Sequence, residues 1–192
     1  MKKLLITFSL IFIHFSSAQK KFELGFNIGY VNSTVQYTVF GTKVPTNSKS
    51  SLYVSAPMTY HLNKNISFFG GLGMAGLGAE GFVMENGEVS RLHLTTVYIP
   101  VGIKIFPVEK FALLGGFNLG FTTKALGNGQ SVEFTNFKSS NNSFLIGGEY
   151  HIGKSYLAEV RYNIGITNII NNPNEEMKNS FLQIGVGYKF AN

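Results

Sequence analysis

Two glutamates on either side of a short connection have the spacing of an interacting pair. Glu149 and Glu159 flank the segment Gly153–Ser155. In two antiparallel strands joined by a tight turn, alternate residues share one face, so the spacing predicts that Glu149 faces Glu159 directly. Opposed carboxylates repel each other unless a cation lies between them or one of them binds a proton. Arg161 lies two residues along the same face and is the expected counter-ion, with Lys104 as the second candidate.

A histidine beside this pair raises the question of catalysis. His151 lies two residues from Glu149. Nucleophilic catalysis needs a hydroxyl within hydrogen-bond reach of a base, and the nearest serine, Ser155, belongs to the turn. His61 and His93 have no Cys, Asp or second His near them in the sequence, whereas a zinc site needs several such ligands. We therefore expect no enzymatic activity, no cofactor and no metal site, and a lipid-modifying enzyme ranks third among the functions considered.

Eight segments of alternating apolar and polar residues must position these side chains, and the alternation predicts β-strands. In each segment, the ionisable residues lie on the face opposite the bulky apolar ones. Pro57 and Pro100 lie inside two segments, where proline removes a donor from the ladder, so we expect bulges or interruptions there. The predicted strands are Phe22–Val31, Leu52–Leu62, Ile66–Gly78, Thr96–Ile105, Phe111–Thr122, Phe144–Ile152, Tyr156–Ile166 and Leu182–Phe190.

The connections between these segments are alternately long and short, which is typical of membrane barrels with tight turns at one end. Eight strands enclose a narrow interior, which has no room for about five large apolar side chains from every strand. The apolar faces are therefore expected to contact lipid. The sequence predicts an all-β, eight-stranded antiparallel up-and-down transmembrane β-barrel. The short connections are Leu62–Asn65, Pro107–Lys110 and Gly153–Ser155, and the long ones are Asn32–Lys49, Ala79–Ser90, Thr123–Asn141 and Thr167–Lys178.

The first residues have the features of an export signal. Lys2 and Lys3 precede the apolar run Leu4–Phe15, and small residues follow at Ser16–Ala18. This order is typical of a cleaved secretory signal peptide, so we expect a signal peptide at 1–18 and one domain at 19–192. The apolar run is short for a membrane-spanning helix, which needs about 20 residues.

The charges are arranged in a way that favours lipid over nucleic acid. Without residues 1–18, the chain has 14 cationic side chains against 10 glutamates, a net charge of +4. The surplus lies at the end with the short connections, where lysine can reach anionic headgroups, so the basic composition gives no argument for nucleic acid. The surplus comprises Lys20, Lys21, Lys64, Lys110 and Lys154, opposed by Glu109.

The predicted interior is electrically balanced, which favours a plugged, salt-bridged barrel over an open selective pore. Closure of the barrel brings the first and last strands together, so Glu23 is expected to meet Lys189. The expected interior network is Glu149, Glu159, Arg161, Lys104, Glu23 and Lys189.

Two segments resemble a known family. Tyr98–Lys104 (YIPVGIK) with Phe111–Gly116 (FALLGG) is similar to the central signature of PorT-like outer-membrane β-barrel domains, and Leu182–Phe190 (LQIGVGYKF) resembles their closing strand. The resemblance covers essentially the whole chain after the leader. It implies that Tyr188 and Phe190 form a signal read by the barrel-assembly machinery. Some members of the family are tied to protein secretion.

Together, these features predict a protein of the outer membrane with both termini in the periplasm. The expected function is a non-enzymatic scaffold or a partner of another envelope protein, and the family resemblance extends this expectation to a secretion complex. The alternative is a small pore or a barrel that binds lipid or another small ligand. Expected partners are outer-membrane lipid, the barrel-assembly machinery and another envelope protein, and no nucleic acid. The polar loops are expected to be solvated caps, although loops on rigid scaffolds often bind ligands.

Overall fold

Antiparallel strands make up most of the chain that the computed structural model describes, namely residues 21–83, 89–127, 130–131 and 138–190. The predicted signal peptide 1–18, Lys20 and the last two residues lie outside this part. The strands are β1 (Phe22–Val39), β2 (Thr42–Val44), β3 (Asn47–His61), β4 (Ile66–Val83), β5 (Val89–Val108), β6 (Phe111–Gly127), β7 (Gln130–Ser131), β8 (Ser143–Ile152), β9 (Tyr156–Gly165) and β10 (Glu175–Phe190).

Eight of these strands form a closed ring. Each pairs antiparallel with the next along the chain, in the order β1, β3, β4, β5, β6, β8, β9, β10. β10 then pairs with β1 from Leu24–Phe190 to Val39–Glu175. The two-residue β7 and three-residue β2 are additions beside β6 and β1. The predicted up-and-down barrel is therefore confirmed. We call the end with the short connections the turn end, and the opposite end the loop end.

Large apolar side chains cover the outside of the ring in a continuous band. On β1, Phe26, Ile28 and Tyr30 are 45%, 46% and 46% exposed, whereas Asn27 and Val31 on the other face are buried. Soluble monomers rarely expose an apolar surface of this extent. The band is therefore the lipid-facing surface that the alternation predicted. Within the described ranges, no helix is long and apolar enough to span a bilayer.

The strands extend well past the apolar band at the loop end, so the loops in the structure are shorter than those predicted. β1 continues to Val39, β4 to Val83 and β6 to Gly127, while β10 begins at Glu175. A tilted strand needs only about 9–11 residues to cross the hydrocarbon layer, whereas β5 has 20 residues. These extensions were predicted as loops because their outer faces carry polar residues such as Thr34.

The two strand prolines interrupt pairing, as predicted. The pairing of β1 with β3 stops at residues 56–57 and resumes in the same register. The pairing of β4 with β5 likewise stops at residues 99–101. Pro57 and Pro100 have no N–H to donate on that side, so each leaves a gap in the ladder, while both remain paired with their other neighbouring strand.

The inner face changes character along the strands. On β1, Gly25 and Asn27 face inward near the turn end, whereas Val31 and Val35 face inward near the loop end. We had expected small and polar side chains along the whole inner face, and the structure shows them only near the turn end. Beyond the lipid, water surrounds the barrel, so polar side chains face out and apolar ones form a core. The core consists of Val31, Val35, Tyr53, Ala75, Leu77, Ala79, Leu92, Leu94, Tyr98, Ala125, Ile169, Ile170, Met177 and Phe181.

Candidate functional site: a charged network inside the barrel

The interior carries four charged residues that are almost completely buried. Glu149 on β8 pairs directly with Glu159 on β9. Glu149 and Glu159 are each 1% exposed, Arg161 is 2% exposed and Lys104 is 3% exposed. We call these four residues the interior network. Charges at this depth need partners, because transfer of each ion from water into the protein interior costs on the order of several kcal/mol.

Each carboxylate of the interior network contacts a cation. Arg161 Nη2 lies 3.0 Å from Glu149 Oε1 and 2.6 Å from Glu159 Oε2. Lys104 Nζ donates to Glu149 Oε2 at 2.7 Å. The structure thus brings together the four residues for which the sequence predicted an interaction. Two positive and two negative charges give the network no net charge.

Two further residues contact the interior network and were not predicted from the sequence. Tyr53 Oη donates to Glu159 Oε1 at 2.5 Å, and Asn27 Nδ2 donates to Glu159 Oε2 at 2.8 Å. Both lie on strands far from Glu159 in sequence. The available signal was parity, since Tyr53 and Asn27 lie on the polar face of their strands and therefore point into the barrel.

Glycines make room for two tyrosines of the interior. Gly73 pairs with Tyr98, and a Cβ at Gly73 would overlap the Tyr98 ring. A Cβ at Gly29 would lie 2.7 Å from Cε1 of Tyr53, closer than any ordinary contact. Gly29 and Gly73 therefore allow these two rings to approach the backbone closely.

Glu23 and Lys189 meet near the turn end, where β1 and β10 close the ring. Lys189 Nζ lies 3.2 Å from Glu23 Oε2. His61 is a second neighbour, with Nε2 3.9 Å from Glu23 Oε2. This pair is partly exposed, so it contributes less to stability than its distance suggests.

His151 connects this pair to the interior network. Its Nδ1 lies 3.1 Å from Lys189 Nζ, and an ammonium group can only donate. Nδ1 therefore accepts, which leaves Nε2 as the N–H donor of the ring. Nε2 lies 3.6 Å from Glu149 Oε2, and the ring packs edge-on against Phe106 with centroids 5.5 Å apart. The position of His151 between Lys189 and Glu149 was not predicted from the sequence.

A layer of amides lies between the network and the apolar core. Gln183 Nε2 donates to Tyr98 Oη at 2.9 Å, and Asn163 Nδ2 donates to Gln183 Oε1 at 3.1 Å. Asn118 Nδ2 donates in turn to Asn163 Oδ1. The interior is therefore filled by ionic, amide and apolar layers in succession from the turn end to the loop end.

A cavity of about 430 Å³ opens at the turn end. Its lining includes Lys21, Lys64, Lys189, His61 and Glu109. Lys21 and Lys64 are exposed, so the mouth presents positive charge. In the part of the chain that the structure describes, no group of three or more His, Cys, Asp or Glu side chains could hold a metal ion.

The two aromatic residues of the predicted assembly signal lie on the outside of β10. Tyr188 and Phe190 are both exposed to the lipid side, with ring centroids 5.5 Å apart. Tyr188 also contacts Tyr156 of β9, at 5.4 Å between centroids. Together with Tyr156 they form what we call the aromatic rim of the turn end, and their role as an assembly signal stays a prediction.

Solved structures of small outer-membrane barrels share this fold. Ail of Yersinia pestis is 16% identical, with 88% of this chain and 99% of that chain covered and a TM-score of 0.55. OprG of Pseudomonas aeruginosa is 12% identical, with 88% and 96% covered and a TM-score of 0.51. Neisserial surface protein A is 14% identical, with 86% and 97% covered and a TM-score of 0.50. At these identities the likeness concerns the fold alone.

The family comparison covers almost the whole chain. No curated protein matches it significantly. Residues 5–190 match the model of the family described as outer membrane protein beta-barrel domain. The match agrees with the closed ring and the apolar outer band. The chain therefore belongs to this family and is a β-barrel protein of the outer membrane.

Proposed function

We propose that the protein is a non-enzymatic, plugged barrel that serves as a scaffold or partner for another envelope protein. The observation that carries this proposal is the filled interior, in which the interior network, the amide layer and the apolar core follow one another. A barrel that transports nothing through its centre acts through its two ends and its outer surface. The narrower PorT-like affiliation and a place in a secretion complex belong to this proposal.

The turn end faces the periplasm in this proposal. Membrane barrels of this class have short periplasmic turns and longer outer connections. The described chain ends, Lys21 and Phe190, both belong to the turn end. An exported chain whose leader is removed would leave both termini on the periplasmic side. Tyr188 and Phe190 would then be accessible to the barrel-assembly machinery as the closing strand arrives.

The cationic mouth of the turn end is the proposed contact surface for the partner. Lys21, Lys64, Lys110 and Lys154 are exposed there, against the exposed Glu109. Like charges on one surface favour a partner of opposite sign and speed its association. An acidic surface of a periplasmic domain would satisfy this requirement, and anionic headgroups of the inner leaflet would contact the outermost lysines.

Site-specific crosslinking in cells tests the scaffold role. A photoreactive residue at Asn63, which lines the turn-end cavity, should give one discrete crosslinked envelope protein. The same residue at Lys43, which is exposed in β2, serves as the matched loop-end control and should give none. K21Q/K64Q should reduce the Asn63 adduct. A barrel that folds normally but gives no adduct at position 63 would contradict the scaffold role.

A further inference from the structure

The turn-end cavity ends on a layer of three aromatic side chains. Phe106 on β5 lies between His61 on β3 and His151 on β8, with its ring centroid 6.3 Å and 5.5 Å from theirs. These three residues, here called the aromatic floor, all line the cavity. Lys104 is the preceding inward-facing residue of β5 and is buried, so the aromatic floor lies between the cavity and the interior network.

Hydrogen bonds and packing hold the aromatic floor in place. His61 Nδ1 and Ser67 Oγ are 2.8 Å apart, and the backbone N–H of Phe106 donates to the Asn65 carbonyl at 2.8 Å. His151 packs edge-on against Phe106, at an interplanar angle of 85°. A surface that is ordered before binding loses little conformational entropy when a ligand arrives. The aromatic floor is therefore a pre-formed contact surface.

The aromatic floor presents apolar surface inside a polar opening. Phe106 is partly exposed, and it shares the inner face of β5 with Lys104, so its free surface faces the cavity and not the lipid. Leu62, which is 50% exposed, also lines the cavity. The cavity volume of about 430 Å³ falls within the range of about 300–1,000 Å³ that is typical of ligand sites. Such a site accepts an aromatic side chain, which packs edge-to-face against the floor.

Two lysines at the mouth of the cavity are available for an anion. Lys21 and Lys64 are exposed and line the cavity, and among the described residues neither takes part in an ion pair. Lys189 lies deeper, where Glu23 at 3.2 Å balances its charge. Glu109 is the carboxylate among the described lining residues. A ligand with carboxylates beside an aromatic group therefore matches both the mouth and the floor.

We propose that the turn-end cavity binds a segment of the periplasmic partner in which an aromatic side chain is flanked by acidic residues. The aromatic side chain packs on the aromatic floor, because buried aromatic anchors in pockets supply most of the binding energy of protein interfaces. The flanking carboxylates contact Lys21 and Lys64, which steer the segment to the mouth. The inference rests on the proposed function, which places the partner at the turn end, and specifies what the partner presents there.

Binding can be measured by fluorescence anisotropy with the mature barrel in zwitterionic detergent micelles. The probe is a labelled, capped peptide of glycine, glutamate, phenylalanine, glutamate and glycine in that order, and empty micelles are the blank. K21Q/K64Q should weaken binding about 10-fold, since each exposed ion pair contributes about a factor of three. F106L should weaken it about 5-fold through loss of the aromatic contact. K43Q/K138Q removes the same charge from exposed positions at the loop end and should bind like the wild type.

The structure of the complex and the choice of ligands test the site itself. Nuclear Overhauser contacts between the peptide phenylalanine and the Phe106 ring are expected. Equal binding of a peptide with alanine in place of the phenylalanine would overturn the aromatic anchor. If 3-phenylpropionate binds as tightly as the peptide, the cavity belongs to a small aromatic acid and not to a partner segment. Binding that requires removal of residues 191–192 would also overturn the proposal, since the chain's own end would then cover the site.

This experiment and the crosslinking experiment fail independently of each other. An adduct at Asn63 in cells, together with no peptide binding by a barrel whose mobility shifts on boiling, would overturn the aromatic and acidic segment and leave the scaffold role intact. Peptide binding with the expected effects of K21Q/K64Q and F106L, but without an adduct in cells, would support the site and contradict the scaffold role.

Discussion

Arg161 lies between two buried carboxylates, 3.0 Å from Glu149 and 2.6 Å from Glu159. The two glutamates are direct partners on β8 and β9, so without the guanidinium Lys104 would be the one cation of the network left to balance two facing carboxylates. Lys104 extends the contact to β5, and Tyr53 extends it to β3. One set of charges thus joins opposite walls of the barrel. A buried ion pair adds little net stability, but loss of one partner is costly.

Substitution of Arg161 should destabilise the folded barrel. R161A leaves Glu149 and Glu159 opposed in the interior, and we expect a loss of about 3–5 kcal/mol in the free energy of unfolding. Urea unfolding in detergent micelles measures this loss, and the mobility shift on boiling should occur at a lower temperature.

The controls for this variant address charge and volume separately. K154A removes an exposed cation of the turn and should change stability by less than about 0.5 kcal/mol. The double variant R161M/E159Q removes one cation and one anion, leaves Lys104 paired with Glu149, and should recover part of the loss. Unaltered thermal stability of R161A would show that the network is not a structural element.

The close approach of Gly73 to Tyr98 predicts that substitutions at these two positions have non-additive effects on stability. G73A forces a methyl group into the Tyr98 ring, and overpacking of this kind costs about 1–3 kcal/mol. Y98L alone loses the hydrogen bond from Gln183. In G73A/Y98L the steric conflict is removed, so the double variant should be more stable than the sum of the single effects implies. A double-mutant cycle of unfolding free energies measures the coupling, and strict additivity would contradict it.

Burial and the charges of Lys49 and Lys124 lower the pKa of His93, which predicts a pH dependence at the loop end. The unfolded chain binds more protons than the folded one between the folded pKa and about 6.5, so stability falls as the pH drops through that window. Above it, His93 is neutral in both states and contributes no slope. H93Q should have a smaller loss of stability between pH 8 and pH 5 than the wild type. The effect is small because the site is partly exposed, and equal slopes for both proteins would contradict it.

The aromatic end of β10 predicts a defect in assembly and not in intrinsic folding. F190A should lower the amount of heat-modifiable barrel in the outer membrane, yet the purified variant should refold in detergent nearly as well as the wild type. Y156A removes another outward aromatic residue at the same rim and serves as control, with normal assembly expected. An equal defect for both variants would assign the effect to general loss of the aromatic rim.

Local alternation was sufficient to predict the part of the site that lies on one hairpin. Across the turn at 153–155, period-two spacing determines which residues face each other. The relative positions of Glu149, Glu159 and Arg161 could be predicted from this spacing alone. The ring of eight strands followed from the same signal, because in lipid the apolar face must point outward and the ladder must close.

Contacts across the interior could not be predicted in the same way. Tyr53 and Asn27 reach Glu159 from other walls of the barrel, and their height relative to it depends on the stagger of strands around the ring. The apolar core was also missed, because Ile169 and Ile170 belong to a polar connection between β9 and β10. Their burial depends on the surrounding strands extending beyond the membrane.

Conductance across a planar bilayer tests the filled interior most directly. Mature wild-type barrel, shown to be folded by its mobility shift on boiling, should give no discrete channel steps if the interior network, the amide layer and the apolar core together plug the barrel as proposed. Reproducible conductance steps with the wild-type protein would contradict the plugged barrel and would favour a small pore.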